Sequence, residues 1–464
     1  MELQGRRRWG IWLAGLALLL GLGWWGWTVA RITSLRSQAH AAFVAGDWGT
    51  AEPLLAALLA SRPSDEEALQ MRVEAAVQRQ DLPTATAVLE GWPARSPLAG
   101  EAALRKGRLY KERFLTGLAE RAFEEAARLL PDDPAPSREL VGLYGVERRA
   151  EEQVRTLWLL HKRGARIEAL RLLGQSSVVI PPGTIAKTSD EGELLEKCLA
   201  ADPEDVHLRA PLARFYRMRG QVSEARALLE PWLPSHDDLP ARLERLTLGL
   251  DEGDPAPAAA YFGLFQNKPT PESASFWQVR GDWHALQQDH AAAAADYQAA
   301  AERDPRDAEV VYRLARSLRA AGKTVEAEAA EAQHRRLVDY AEKSAAVAQD
   351  APRVEALLAA ARAAAALGPP RAREAKAWYE EVLRLDRNDK EARRRWEVAR
   401  EAARPGVVWR DDRSDRRLAV PRIERATLAR ENACRIARWE HAIGHSGCAG
   451  RTRLGAEALD ARLS

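Results

Sequence analysis

The chain has 464 residues, of which 46% are hydrophobic and 29% are charged, and its formal net charge at pH 7 is only +2. This balance lacks the basic excess that proteins use to bind nucleic acid, so we expect no nucleic-acid partner. Apolar residues recur at the i, i+3, i+4 spacing of amphipathic helices, and no alternating strand pattern is visible. The composition and the periodicity together predict an all-α fold.

The first predicted element is an apolar segment of 21 residues without a charge, Gly10–Ala30. At about 1.5 Å per residue it would span the roughly 30 Å hydrocarbon core of a bilayer. Tryptophans stand near both of its ends, where an aromatic belt would place them. We therefore predict a short cytoplasmic tail at 1–8 and a transmembrane helix, a signal anchor, at 9–30. The arginines at 6–8 favour a cytoplasmic N-terminus and an extracytoplasmic remainder in a single-pass membrane protein.

Two further interpretations of this segment stay open. Residues 28–30 form a tolerable signal-peptidase site, so cleavage there would instead release a secreted, soluble adaptor. The bulky tryptophans just before that site favour the anchor. Small residues at four-residue spacing would also allow two anchor helices to pack together, which predicts self-association. These small residues are Gly10, Ala14, Ala17 and Gly21.

The most informative segment of the chain lies between residues 274 and 305, where a 34-residue frame begins at Ala274. Small residues stand where two antiparallel helices would cross, because only small side chains allow a close approach. Two aromatic residues fill the space on either side, and a proline ends the unit because it cannot continue a helix. The residues that define the unit are Trp277, Gly281, Ala293, Tyr297, Ala300 and Pro305.

These positions resemble the tetratricopeptide repeat, a hairpin of two helices in a 34-residue frame. Other segments of the chain match the same frame in phase, and a single hairpin cannot bury its own apolar face. The resemblance implies an all-α solenoid, a right-handed superhelix of stacked hairpins, from about residue 35 to 395. We divide it into a first block of repeats at 31–173, a linker at 174–190 and a second block at 191–403.

In proteins with this repeat, the first helix of each unit lines a concave groove that holds a peptide or another protein's surface. The resemblance places positions 9 and 12 of each unit on that groove, and in three units both positions are basic. The three pairs are Arg108 and Lys111, Arg214 and Arg217, and Arg316 and Arg319. Such cations would attract an acidic peptide or a C-terminal carboxylate. The predicted function is therefore a membrane-anchored scaffold or assembly factor that binds one or more proteins or peptides.

The last segment, 404–464, lacks the repeat pattern and is predicted to be a basic, weakly ordered tail. It contains four potential zinc ligands within 15 residues, at a spacing typical of no zinc-binding family: Cys434, His441, His445 and Cys448. A disulfide between the two cysteines is an alternative outside the cytoplasm. A third interpretation gives these residues no special role.

Catalytic motifs are missing from the sequence. It contains no His-Glu-x-x-His motif, phosphate-binding loop or nucleophile elbow. We therefore expect that the protein is not an enzyme and needs no cofactor. The alternative is a metal-binding or enzymatic role carried by the tail.

Overall fold

The computed structural model describes residues 2–176, 189–265 and 271–404, and the side chains of these ranges except at 2–17 and 189–190. Every regular element in the described ranges is helical, so the prediction of an all-α fold is confirmed there. The helices before residue 177 are α1 (Glu2–Val44), α2 (Trp48–Ser61), α3 (Glu66–Gln78), α4 (Leu82–Glu90), α5 (Ala99–Glu112), α6 (Thr116–Leu129), α7 (Ala135–Val146), α8 (Ala150–Lys162) and α9 (Arg166–Gln175).

The predicted linker at 174–190 is shorter in the structure, since α9 ends at Gln175 and the second set of helices begins at Ser189; residues 177–188 lie outside the described ranges. These helices are α10 (Ser189–Ala201), α11 (Arg209–Met218), α12 (Val222–Leu229), α13 (Leu239–Asp251), α14 (Ala256–Gly263), α15 (Ala274–Leu286), α16 (His290–Arg303), α17 (Ala308–Ala320), α18 (Thr324–Ala345), α19 (Val354–Ala366), α20 (Ala372–Leu385) and α21 (Lys390–Ala402). A single 3₁₀ turn, Pro369–Arg371, precedes α20 in this part of the chain.

Local sequence signals explain where the helices begin and where hairpins turn. An aspartate caps seven of the described helices by accepting a backbone N–H three residues later, which satisfies one of the free donors of the first turn. Turns within hairpins need a residue with positive φ, and glycine supplies it at Gly220 (φ 74°) and Gly322 (φ 76°). Phe114 and Arg148 adopt the same conformation without being glycine, with φ of 61° and 60°.

The hairpin that carries the clearest repeat signature shows why small residues occupy its crossing. Ala293 and Ala300 are completely buried between α15 and α16. A Cβ atom added to Gly281 would stand 2.8 Å from the Cε1 atom of Tyr297, well inside van der Waals contact. The two helices can therefore approach this closely only because position 281 has no side chain.

The stacking order departs from the chain order after α9. α9 packs against α18 and α20, and Gly174 near its end lies directly against Ser344. α10 and the start of α11 instead join an apolar cluster with Phe114 and Val146, which lie at the turns of the α5–α6 and α7–α8 hairpins. Contacts with the first block therefore hold both the beginning and the later part of the second block.

The prediction of a transmembrane anchor at residues 10–30 is wrong. Where the structure describes side chains, no helix combines enough length with enough apolar surface to cross a bilayer. The predicted single-pass membrane localisation is therefore contradicted. The side chains at 10–17, which include most of the predicted self-association motif, lie outside the described part of the chain.

Candidate functional site

Ion pairs join the first helices of successive hairpins and recur about once per repeat. We call this row of pairs the charge ladder. Its partners are 27 to 31 residues apart in sequence. The ladder consists of Arg36–Asp65, Arg105–Glu74, Arg108 and Lys111 with Glu139, Arg138–Glu168, Arg217–Glu244, Arg313–Asp282 and Arg362–Glu391.

Most of the predicted groove cations already have carboxylate partners on an adjacent helix. They are therefore less available to bind an acidic ligand than the sequence suggested. Exposed ion pairs contribute only about 0–1 kcal/mol each, so the ladder adds more to the register of adjacent hairpins than to total stability. Sequence reasoning singled out the cations and missed the acids. For Arg108, Lys111 and Arg217, an acidic residue 27 to 31 positions later in the sequence was the signal that could have identified the partner.

The first predicted pair, Arg108 and Lys111, contacts one carboxylate. Arg108 Nε donates to Glu139 Oε1 at 2.9 Å, and Lys111 donates to the other oxygen of the same carboxylate. Burial by itself would raise the pKa of Glu139, but the hydrogen bonds from Lys111 and Arg108 outweigh it and lower that pKa. Both cations are 50% exposed. Two positive charges share one negative charge here, so the contact between α5 and α7 at Glu139 keeps a net positive charge.

The two residues of the second predicted pair, Arg214 and Arg217, differ in their contacts. Arg217 is fully engaged, since its Nε lies 3.2 Å from Glu244 Oε2 and its Nη1 lies 2.8 Å from Asp251 Oδ2. Arg214 has only a distant contact, 3.8 Å from its Nη1 to Glu244 Oε1. Within the described residues no hydrogen bond of Arg214 is found, although its Nε is buried. The two neighbours at positions 9 and 12 therefore have opposite hydrogen-bonding states.

Charges of both signs act on Arg214. Burial lowers the pKa of Arg214 most, and Arg148 and Arg217 lower it further against the opposing effects of Glu244 and Asp307. Arg148 belongs to the α7–α8 turn, far away in sequence from α11. The positive charge of Arg148, in a turn of the first block, therefore acts on Arg214, in a helix of the second block.

The third predicted pair lies on α17. Arg319 Nη2 is 2.6 Å from Glu331 Oε1 of α18. Arg316 is exposed and has its guanidinium 5.9 Å from the ring centroid of Tyr312, which is itself exposed. No carboxylate within the described ranges forms an ion pair with Arg316. Arg316 and Tyr312 together offer a cation and an aromatic ring to solvent on one helix face.

The clearest repeat unit places an acid, Asp282, at position 9 instead of a cation. Tyr297 donates to Asp282 at 2.6 Å and Arg313 Nη1 donates to it at 2.7 Å. Burial raises the pKa of Asp282 against the effect of Arg313. Trp277 lies under two guanidiniums, those of Arg280 and Arg303, at 4.2 and 4.6 Å from the centroid. Pro305 follows the end of α16. These residues pack and connect helices.

Metal-binding and nucleophilic groups give no site in the part of the chain that the structure describes. No group of three or more His, Cys, Asp or Glu residues there is arranged to hold a metal ion. Burial, followed by the nearby Glu147 and Asp205, raises the pKa of the Cys198 thiol to about 11, so it stays protonated at neutral pH. The candidates Cys434, His441, His445 and Cys448 lie outside the described ranges, and their role stays a prediction.

Comparisons with known proteins identify one repeat. The family model of the tetratricopeptide repeat matches residues 192–247, which contain most of α10, all of α11 and α12, and most of α13. No curated protein matches the chain. Among solved structures, the chain is similar to a tetratricopeptide repeat protein from Parabacteroides merdae, at 19% identity over 54% of this chain and 98% of that chain, with a TM-score of 0.28.

Two other solved structures are similar at the same low level. The TPR domain of P58(IPK) is 13% identical over 80% of this chain and 98% of that chain, with a TM-score of 0.26. Human IFIT1, solved as a dimer with PPP-AAAA, is 14% identical over 79% of this chain and 89% of that chain, with a TM-score of 0.32. Scores this low support no inference about ligands. In its described ranges the chain is therefore an array of helices that carries a tetratricopeptide repeat at residues 192–247.

Proposed function

We propose that this protein is an interaction scaffold that binds an acidic protein segment, or a free C-terminal carboxylate, at Arg214 on the first-helix face. The observation that supports this proposal is that Arg214 has no hydrogen bond within the described residues, while its Nε is buried. A guanidinium carries five N–H donors, and leaving a buried donor unpaired costs about 1–3 kcal/mol. A carboxylate can accept two of these hydrogens at once.

The electrostatic environment of Arg214 also favours an anion. Burial lowers the pKa of Arg214 most, and the positive charges of Arg148 and Arg217 lower it further, against the raising effect of Glu244. Arg217 is neutralised by Glu244 and Asp251, whereas among the described residues the Arg148 guanidinium makes one hydrogen bond, of 3.3 Å, to Glu191. An added carboxylate would therefore be attracted by two cations, Arg148 and Arg214. The scaffold acts through binding in this proposal and requires no catalytic group.

Fluorescence anisotropy with labelled peptides tests the proposal. The probes are peptides that end in several Asp or Glu residues, each prepared with a free C-terminal carboxylate and as an amide, and an uncharged peptide of the same length. We expect the acidic peptides to bind the full-length protein and the uncharged peptide not to bind. Arg214→Gln should weaken binding about 10-fold or more, because a charge-assisted hydrogen bond is lost. Added salt should weaken binding as well.

The matched control is Arg226→Gln on α12. Arg226 is a part-exposed arginine of the same repeat, and it pairs with Glu252 rather than facing Arg214. It should bind the acidic peptides as well as the unaltered protein does. The proposal fails if the acidic and uncharged peptides bind equally, or if Arg214→Gln binds as tightly as the Arg226→Gln control.

A further inference from the structure

The start of the second block docks on the turns of the first block through a defined contact. Thr116 Oγ1 donates to Asp205 Oδ2 at 2.8 Å, across 89 residues of sequence. Arg148 Nη2 donates to Glu191 Oε1 at 3.3 Å. Around these polar contacts lies the apolar cluster of Leu195, Cys198, Leu208 and Leu212 with Phe114 and Val146. We call the docked part, residues 191–212, the docking segment.

Two hairpin turns of the first block present their side chains to the docking segment. Phe114 and Arg148 have positive φ without being glycine, a conformation that is costly for a residue with a side chain. Both side chains contact the docking segment, Phe114 in the apolar cluster and Arg148 at Glu191. Glycine at either position would relieve the backbone and lose the contact. Gln80 and Gln288 adopt the same conformation in other hairpin turns, so the positive φ belongs to the hairpin turn, and the side chains of Phe114 and Arg148 use that turn to reach residues 191–212.

A buried carboxylate, Glu147, lies at the centre of this contact. Its side chain is only 1% exposed, and Arg149 Nη1 donates to it at 3.0 Å while also donating to Glu120 at 2.8 Å. Glu147 is the C-cap residue of α7, at the negative end of the helix dipole. The charged and titratable groups around it are Glu120 and Glu124 of α6, Tyr144 of α7, Arg148 and Arg149 of the α7–α8 turn, Glu191 and Cys198 of α10, and Asp205 of the loop before α11.

The balance of charges around Glu147 is unfavourable to its ionised form. Three carboxylates share the one guanidinium of Arg149, those of Glu120 at 2.8 Å, Glu147 at 3.0 Å and Glu152 at 3.3 Å, and Asp205 adds a further negative charge that acts on Glu147. Burial, together with Asp205 and Glu120, raises the pKa of Glu147 to about 7, against the lowering effect of Arg149. Near neutral pH, the buried Glu147 therefore changes its charge close to Asp205 and Cys198 of the docking segment.

We propose that this contact is a pH-sensitive clasp. The docking segment is held on the turns of α5–α8 while Glu147 is protonated, and it is loosened when Glu147 ionises beside Glu120 and Asp205. Closure also brings Arg148 near Arg214, so the clasp would regulate the proposed binding position. The clasp itself does not depend on whether an acidic segment binds there.

The sign and size of the effect follow from the two pKa values of Glu147. When the segment is released, Glu147 meets water and titrates near its ordinary pKa of 4.5, whereas in the docked state its pKa is about 7. The docked state therefore retains a proton that the released state has lost, and docking weakens as pH rises. Between about pH 5.5 and 8.5 the docking equilibrium should weaken about 30-fold.

Hydrogen exchange of the full-length protein, without any ligand, tests the clasp. The measured quantity is the protection factor of the α10 backbone amides, in which the intrinsic pH dependence of exchange cancels. We expect it to fall about 30-fold from about pH 5.5 to 8.5 in the unaltered protein. Glu147→Gln keeps the shape of the protonated side chain and should remain protected at both pH values. Asp205→Asn removes one repelling charge and should move the midpoint of the transition to lower pH.

The matched control is Glu252→Gln. Glu252 is also the C-cap residue of a first helix, α13, but it is exposed and paired with Arg226. This control should keep the pH dependence of the unaltered protein. Equal pH dependence in Glu147→Gln and Glu252→Gln would overturn the clasp, and so would a change of less than about 3-fold in the unaltered protein. Because no peptide is present, this result is independent of the binding test at Arg214.

Discussion

Arg371 Nη1 donates a hydrogen bond to the carbonyl oxygen of Leu173 at 3.3 Å, across 198 residues of sequence. The same nitrogen donates to the carboxylate of Glu374 at 2.8 Å, and this carboxylate also accepts from Arg306 at 3.0 Å. The Arg371 and Glu374 side chains are almost completely buried. These bonds tie the end of α9 to α20 and to the turn before α17. Buried charges therefore stabilise the place where stacking order departs from chain order.

Glu374→Gln should destabilise the protein strongly. It removes the negative charge that two guanidiniums, those of Arg371 and Arg306, contact in a buried environment. Losing one partner of a buried ion pair costs about 3–5 kcal/mol. Chemical denaturation at pH 7 measures the free energy of unfolding. The control Glu401→Gln breaks an exposed pair with Arg404 and should change that free energy by less than about 0.5 kcal/mol. Similar values for the two variants would contradict the prediction.

Two glycine-to-alanine changes should have opposite effects on stability. In Gly281→Ala, the new Cβ would stand 2.8 Å from Tyr297, so the crossing of α15 and α16 must open; we expect a loss of about 1–3 kcal/mol. In Gly142→Ala, within α7, no other heavy atom lies within 4 Å of the new Cβ, and alanine should stabilise the helix by up to about 1 kcal/mol. Thermal unfolding compares them. A gain in stability from Gly281→Ala would show that these helices do not cross as described.

The charge ladder should weaken in acid. Hydrogen bonds from Lys111 and Arg108 outweigh burial and lower the pKa of Glu139. Its contribution to stability is therefore fully present above the ordinary pKa of 4.5 and is lost as pH falls through the lowered value. Glu139→Gln should cost about 0.5–1 kcal/mol at neutral pH, and this difference should vanish near about pH 2. Denaturant titrations of both proteins at several pH values measure it. A difference that grows in acid would contradict the assigned direction.

Arg214 and Arg217 should differ in their effects on stability without a ligand. Arg217→Gln leaves Glu244 and Asp251 without their closest cation, which should cost about 1 kcal/mol. Arg214→Gln removes a guanidinium that lacks hydrogen bonds in the described structure, so stability should stay unchanged or rise by up to about 1 kcal/mol. Differential scanning calorimetry measures both. If Arg214→Gln is the more destabilising change, Arg214 is a structural residue and the proposed binding position is wrong.

The anchor prediction shows where sequence reasoning about length and apolarity went wrong. The apolar run of 10–30 suggested a separate membrane-spanning element, but the described part of α1 continues through Arg31 and Arg36 to Val44 as one helix. Arg36 pairs with Asp65 of the next hairpin. Apolarity within a window does not show where a helix ends or what its later turns contact.

The sequence by itself determined the helices, their caps and the pairing of helices within a hairpin. These features depend on residues close together in the chain: the 3.6-residue apolar period, an aspartate before a helix, and the small residue Gly281 opposite Tyr297. Only the tertiary structure decided that α9 packs on α18 and α20, that Arg217 is neutralised while Arg214 is not, and that Glu147 is buried close to Asp205 of the docking segment. The energies of these contacts depend on distance and burial between segments far apart in the chain, and local sequence patterns carry no information about either.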